Sequence, residues 1–182
     1  MNVKGEWRRR RLGMVHVYTG DGKGKTTAAL GLGLRAVGHG LRVCMIQFMK
    51  GRNQYGEQRA VARLPNFELY QFGRRGFVRK GAPSKTDKAL ARRGLAFARE
   101  AVCSGRYDIV ILDELNVALD WGLISLEDVL GLIRGKAPRT ELVLTGRYAH
   151  PQVMELADYV TEMREIAHPY QKGYLCLKGV DC

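Results

Sequence analysis

Long apolar runs are missing from this 182-residue chain. None approaches the ~20 residues that a membrane-spanning helix needs, so no such span is expected. Cysteine is sparse as well. The four cysteines (Cys44, Cys103, Cys176, Cys182) form no CxxC pair and are too few for a disulfide scaffold. Reduced thiols and a cytoplasmic location follow as expectations. The four histidines are scattered without zinc-site spacing. The N-terminus, MNVKGEWRRRRLG, has no apolar stretch behind its basic residues, so a secretory signal is not expected. Acidic residues are the other shortage, 18 against 30 Lys and Arg.

That imbalance is concentrated. Residues 1–13 carry Lys4 and Arg8 to Arg11 against Glu6, a net of +4. Residues 73–93 carry eight basic side chains against Asp87, a net of +7. The two segments hold nearly all of the formal +12, so the rest of the chain is close to neutral. Such segments suit a polyanion: a nucleotide polyphosphate, an acidic protein or a nucleic acid. A nucleic-acid partner is not expected, because no RNA-recognition signature, zinc finger or aromatic-interleaved basic stripe accompanies the charge. Hydrophobic residues make up 46% and charged residues 26%, which suits a folded domain. The expected layout is a basic arm over 1–13 and one domain over 14–182.

Strand and helix patterns alternate along that domain. Met14–Thr19 is β-branched and reads as a strand, followed by Gly20-Asp-Gly-Lys-Gly-Lys25-Thr26-Thr27. Ala28–Val37 reads as a helix stopped by Gly38-His39-Gly40, and Leu41–Phe48 as a second strand. Further on, the pattern predicts a short helix over Glu57–Leu64 and a strand over Phe67–Phe72. A helix over Lys85–Ser104, capped by Ser84 or Thr86, and a buried strand over Tyr107–Leu112 come next. Helices over Asn116–Trp121, Ser125–Gly135 and Pro151–Ala157 are predicted, with strands over Thr140–Thr145 and Tyr159–Met163. An edge strand is expected at Tyr174–Lys178. The alternation predicts a three-layer α/β domain around a mostly parallel central sheet. Ligands of such sheets bind beyond the carboxyl ends of the strands. The segments that directly follow strands should therefore gather there.

One of those segments carries a phosphate-binding pattern. Thr19-Gly20-Asp21-Gly22-Lys23-Gly24-Lys25-Thr26 matches G-x-x-x-x-G-K-[ST] except for Thr19 in the first place. Small residues let consecutive N–H groups turn inward around phosphate oxygens, and the helix beginning near Lys25 adds its positive end. Lys25 supplies a cation at the outer phosphates, and the Thr26 hydroxyl can reach Mg²⁺. Thr19, Gly20, Asp21, Gly22, Lys23, Gly24, Lys25, Thr26 and Thr27 are the candidate nucleotide-binding residues. Asp113 ends an apolar strand where a P-loop protein keeps its Mg²⁺-organising carboxylate. Glu114 follows it and could activate water or join the metal shell, so the metal candidates are Thr26, Asp113 and Glu114. Arg147, in Thr145-Gly-Arg147, could reach phosphate.

With these segments placed, the chain resembles the ATP:corrinoid adenosyltransferases, also called cob(I)yrinic acid a,c-diamide adenosyltransferases, of P-loop (RecA-like) fold. The resemblance runs from about Met14 to the C-terminus. Its carriers include Tyr18–Thr27, Arg35–Gly40, Gln47-Phe-Met-Lys-Gly51, Gly76-Phe77, Val110–Asn116, Leu144–Arg147, Ala157-Asp158, Thr161–Met163 and His168-Pro169. It implies transfer of the 5′-deoxyadenosyl group of ATP to cobalt of a reduced, Co(I), corrinoid such as cobalamin, with Mg²⁺ present and tripolyphosphate released. Lys25 would counter the charge of the leaving chain. Phe77 matches an aromatic position that packs beneath the corrin ring and eases reduction of Co(II). Where some members carry a second aromatic two residues later, this chain has Arg79. The resemblance further implies a homodimer and a flavoprotein reductant. Two other readings stay open on the residues alone: a RecA-like ATPase that couples hydrolysis at Glu114 to nucleic acid, and a non-catalytic nucleotide sensor.

Overall fold

The computed structural model describes residues 12–51, 55–76, 78–174 and 179–180. Among these residues, six strands form one sheet: β1 (Val15–Thr19), β2 (Val43–Phe48), β3 (Phe67–Phe72), β4 (Ile109–Asp113), β5 (Glu141–Thr145) and β6 (Tyr159–Glu162). Their order across the sheet is β3-β2-β4-β5-β1-β6. Every neighbouring pair is parallel. The α-helices among the described residues are α1 (Lys25–Gly38), α2 (Gly56–Val61), α3 (Lys85–Cys103), α4 (Leu115–Asp120), α5 (Leu126–Arg134) and α6 (Pro151–Glu155).

The three layers follow from side-chain alternation. Along β2, Cys44, Ile46 and Phe48 enter one apolar cluster, while Val43 and Met45 enter the other. Val110 and Leu112 of β4 part from Ile109 and Ile111 in the same way. Strands buried on both faces must be apolar at every position, and the runs Cys-Met-Ile and Ile-Val-Ile-Leu meet that demand. Each fully buried Leu or Ile here contributes roughly 1.5–3 kcal/mol. Helix α1 covers one face through Ala29 and Ala36, on a stripe that also holds Lys25 and Gly33. Helices α3, α5 and α6 cover the other through residues such as Leu95, Leu132 and Val153.

Boundaries follow local chemistry. Helix α3 begins at a reciprocal cap: the Ser84 hydroxyl accepts from the Asp87 N–H, and the Asp87 carboxylate accepts from the Ser84 N–H. Of the two candidate caps, Ser84 is the one used. Asp87, the sole acid of the basic segment, also pairs with Arg74 at 2.7 Å. Two helices are shorter than their sequence patterns. Helix α2 stops at Val61 and α6 at Glu155, each followed by turn hydrogen bonds. The parallel pairing of the described strands agrees with the expected three-layer α/β domain. Strand β6 is an edge whose four residues are all exposed. A short 3₁₀ helix, Pro169–Lys172, lies in the tail after β6. Of the expected edge strand at 174–178, only Tyr174 lies within the described residues, and it is not in a strand. No helix among the described residues is long and apolar enough to cross a membrane.

Candidate functional site

The glycine loop joins β1 to α1 at the carboxyl edge of the sheet. Two of its glycines are dictated by their surroundings. Gly24 caps α1 with φ 115°, left-handed backbone that side chains rarely adopt. A Cβ on Gly22 would sit 2.7 Å from the carbonyl oxygens of Met163 and Arg164. The loop lies that close because the Gly22 N–H donates to the Met163 carbonyl at 2.6 Å. The chain beyond β6 is thus one wall of the loop.

Lys25 fills the loop from inside. Its Nζ donates to the Gly20 carbonyl at 2.7 Å and to the Gly22 carbonyl at 2.5 Å. Burial, and then the Arg147 charge, hold its pKa below the ordinary lysine value. Backbone carbonyls take two of its three N–H donors, and a polyanion placed there would bring it an opposite charge. Arg147, on the turn after β5, is oriented by a 3.0 Å bond from its guanidinium to the Asp21 carbonyl. It closes the second side of the loop.

Behind the loop stands Asp113, fully buried at the end of β4. Its Oδ1 accepts from the hydroxyls of Thr26 at 2.8 Å and Thr145 at 2.7 Å. Its Oδ2 accepts from the amide of Gln47 at 3.1 Å and the ammonium of Lys50 at 2.9 Å. Strand register delivers these partners. Gln47 is paired with Asp113 across β2 and β4, and the pairing of Leu112 with Leu144 sets Thr145 beside it. Gln71, the register neighbour of Gln47 on β3, donates to the Gln47 carbonyl oxygen at 2.8 Å. Glu114 follows with φ 60°, and its N–H donates to the Thr145 hydroxyl. Burial, then the charge of Asp113, push its pKa up, while Lys50, Lys25 and Arg147 oppose this.

A cavity of about 450 Å³ opens over these groups. Asp21 to Thr27, Glu114 and Arg147 line its loop side, and His168, Tyr170 and Tyr174 its far side. It therefore has a cationic end suited to phosphates and an aromatic end suited to a flat apolar group. Most of the expected site residues meet here. Thr19 does not line the cavity: its hydroxyl accepts from the Ala149 N–H at 3.2 Å, in the turn before α6. Gly20 contributes its carbonyl to Lys25. Phe77 lies outside the described residues.

Sequence reasoning gave no role to Gln47, Lys50, Thr145, His168 or Tyr170. The first three follow the rule already applied to Asp113, since each sits at or just past the carboxyl end of a strand. The aromatic wall had no such signal, because His168 and Tyr170 do not follow a strand end directly.

Thr26 and Glu114 on the cavity wall are an oxygen donor pair of the kind a hard divalent cation takes alongside phosphate oxygens. Among the described residues, no cluster of three acidic, His or Cys side chains could cage an ion without such help. The residues present thus fit a Mg²⁺ shared with a nucleotide.

Comparison with known proteins agrees with this geometry. The family model described as ATP:corrinoid adenosyltransferase BtuR/CobO/CobP matches residues 11–182. The corrinoid adenosyltransferase of Pseudomonas aeruginosa is 36% identical over 169 residues, covering 93% of this chain and 83% of that protein. The corrinoid adenosyltransferase of Escherichia coli is 34% identical over 169 residues, covering 93% and 85%. An uncharacterized protein of Nostoc sp., all2391, is 37% identical over 185 residues, and there this chain spans only 49% of the longer protein. On the family match and on relatives covered over most of their length, the chain belongs to the ATP:corrinoid adenosyltransferase family.

Proposed function

We propose that this protein moves the 5′-deoxyadenosyl group of ATP onto the cobalt of a Co(I) corrinoid and releases tripolyphosphate. One observation carries the reading: a phosphate loop with Lys25 at its centre, at the cationic end of a two-character cavity, in a chain of this family. The cobalt attacks C5′ with its own electron pair, the C5′–O5′ bond breaks, and the electrons leave on the triphosphate. The nucleophile belongs to the substrate, so the protein has two tasks, alignment and stabilisation of the leaving charge.

Lys25, Arg147 and the N–H groups of Gly20–Thr27 would bind that charge. Arg147, fixed to the Asp21 carbonyl, cannot turn away without losing a hydrogen bond. Thr26 and Glu114 would hold Mg²⁺, with Asp113 fixing the Thr26 hydroxyl from behind. The ion supplies charge neutralisation on the phosphates when bound. Tyr170 and Tyr174 would flank the nucleoside end and keep water from C5′. Phe77 is assigned to the lower corrin face. Cobalamin, a flavoprotein reductant, a homodimer and a cytoplasmic location belong to the same reading and rest on the family resemblance.

The test is incubation with ATP, Mg²⁺ and chemically reduced cobalamin. The visible spectrum should change to that of a light-sensitive alkylcobalamin. An unchanged spectrum while ATP is consumed to ADP would instead favour the hydrolytic reading of Glu114.

A further inference from the structure

Asp113 has no lone pair to spare. A carboxylate offers about four acceptor sites, and here four donors occupy them: two hydroxyls on Oδ1, one amide and one ammonium on Oδ2. The group is completely buried, so no solvent competes with these donors. Three of the four are neutral. Only Lys50, from the loop after β2, brings a charge, and among the described residues it is the side chain that balances Asp113 directly. Glu57 lies 4.0 Å from the same ammonium and helps to seat it. The loop itself is held by the Met49 N–H, which donates to the Phe72 carbonyl at 3.1 Å.

We infer that Lys50 is a built-in cation that occupies the metal-competent face of Asp113, so that a divalent ion is excluded there and is confined to Thr26 and Glu114 on the cavity wall, where the phosphates lie. A metal on Oδ2 would sit behind Thr26, away from the nucleotide, and would load the site before ATP arrived. With Lys50 in place, the cation site is completed only by the phosphates. Lys50 is accordingly a positioning residue: it is not among the residues lining the cavity, and acts through Asp113. This rests on the proposed nucleotide site only in taking Thr26 and Glu114 as its cation side.

The test uses MnCl₂ alone, without nucleotide, with free Mn²⁺ read by electron paramagnetic resonance and melting followed in parallel. Lys50→Met should bind Mn²⁺ at least about tenfold more tightly than the wild-type chain, since it frees one carboxylate lone pair and one negative charge. Its melting temperature should fall by roughly 5–10 °C in chelator and recover on adding MnCl₂. Lys50→Arg, which keeps a cation, should behave as wild type. The double variant Lys50→Met with Asp113→Asn should fold and show no Mn²⁺ gain. Mn²⁺ binding by Lys50→Met no tighter than wild type, or a gain that persists in the double variant, overturns the inference. If Lys50→Met is unfolded in chelator, refolding by MnCl₂ counts for it and failure to refold counts against it. A separate arm with wild-type protein, ATP and Mn²⁺ tests the nucleotide site itself, so the two readings fail independently.

Discussion

Lys25 and Glu114 show how one cavity sets two charges against their ordinary behaviour. Lys25 is buried beside Arg147, which holds its pKa down, and a triphosphate would reverse that penalty. Lys25→Ala should weaken ATP binding by about 30–100-fold, the worth of a charge-assisted hydrogen bond or two, with the circular dichroism of the fold retained. Titration calorimetry with ATP checks this. Glu114 is the opposite case. Its pKa is raised by burial and by Asp113, so its ionised form is worse off folded than unfolded. Its cost is absent below the unfolded pKa and fully present above the folded one. Glu114→Gln should therefore melt about 2–4 °C higher than wild type at neutral pH, the shift expected for an order of 1 kcal/mol, and should bind Mg²⁺ with ATP more weakly. Melting curves at pH 4 and pH 7.5 should show that gain only at the higher value.

The residues at this scale that were legible in the sequence share one property: a motif tied them to a strand end. Asp113 and Thr26 were found in that way, and their 2.8 Å contact is the outcome. Gln47 and Lys50 sat in an equally well-placed segment and received no role, because an amide and a lysine past a strand carry no single chemistry. The register of β2 against β4 sets Gln47 beside Asp113, and Lys50 reaches the same carboxylate from the loop beyond β2.

Among elements, the glycine loop and β6 depend on each other. Gly22 packs on the Met163 and Arg164 backbone, so a methyl there must push loop and tail apart. Gly22→Ala should lower ATP affinity at least tenfold and reduce the melting temperature by several degrees, with the far-UV spectrum intact. Calorimetry and thermal melts measure both. Strand and helix types were legible because apolar runs and alternation distinguish them. The ends of α2 and α6 were not, since apolar Leu64 and Ala157 prolong the helical pattern into turns. The partner of the loop was not legible either. Nothing in Met163-Arg164 signals that its carbonyls touch a glycine more than a hundred residues earlier.

At the scale of the molecule, the sheet brings the carboxyl ends of β1, β2, β4 and β5 to one site and leaves their amino ends for stability. Glu141 is the clearest case at that other end. Its carboxylate accepts from the N–H groups of Gly13 at 2.7 Å and Met14 at 2.9 Å and bonds His16 Nε2 at 2.6 Å, which pins the entry to β1. Burial pushes its pKa up, but these hydrogen bonds outweigh burial and leave it below the usual carboxylate value. The folded pKa is depressed, so the stabilisation is complete above the unfolded pKa and is lost as pH falls through the folded one. Glu141→Gln should cost about 1–2 kcal/mol at pH 7 and progressively less on acidification below about pH 4. Urea titrations across that range test it. The α/β class was legible in the alternation of elements. The strand order was not, because apolar runs say which strands are buried and not which lie side by side.

The fate of the phosphate chain shows most directly which atom of ATP is attacked. Phosphorus NMR of a completed reaction with ATP, Mg²⁺ and reduced corrinoid should show the three phosphorus atoms of ATP still joined as free tripolyphosphate, in amounts equal to the adenosylated corrinoid formed. Resonances of ADP and inorganic phosphate in place of that chain would contradict it.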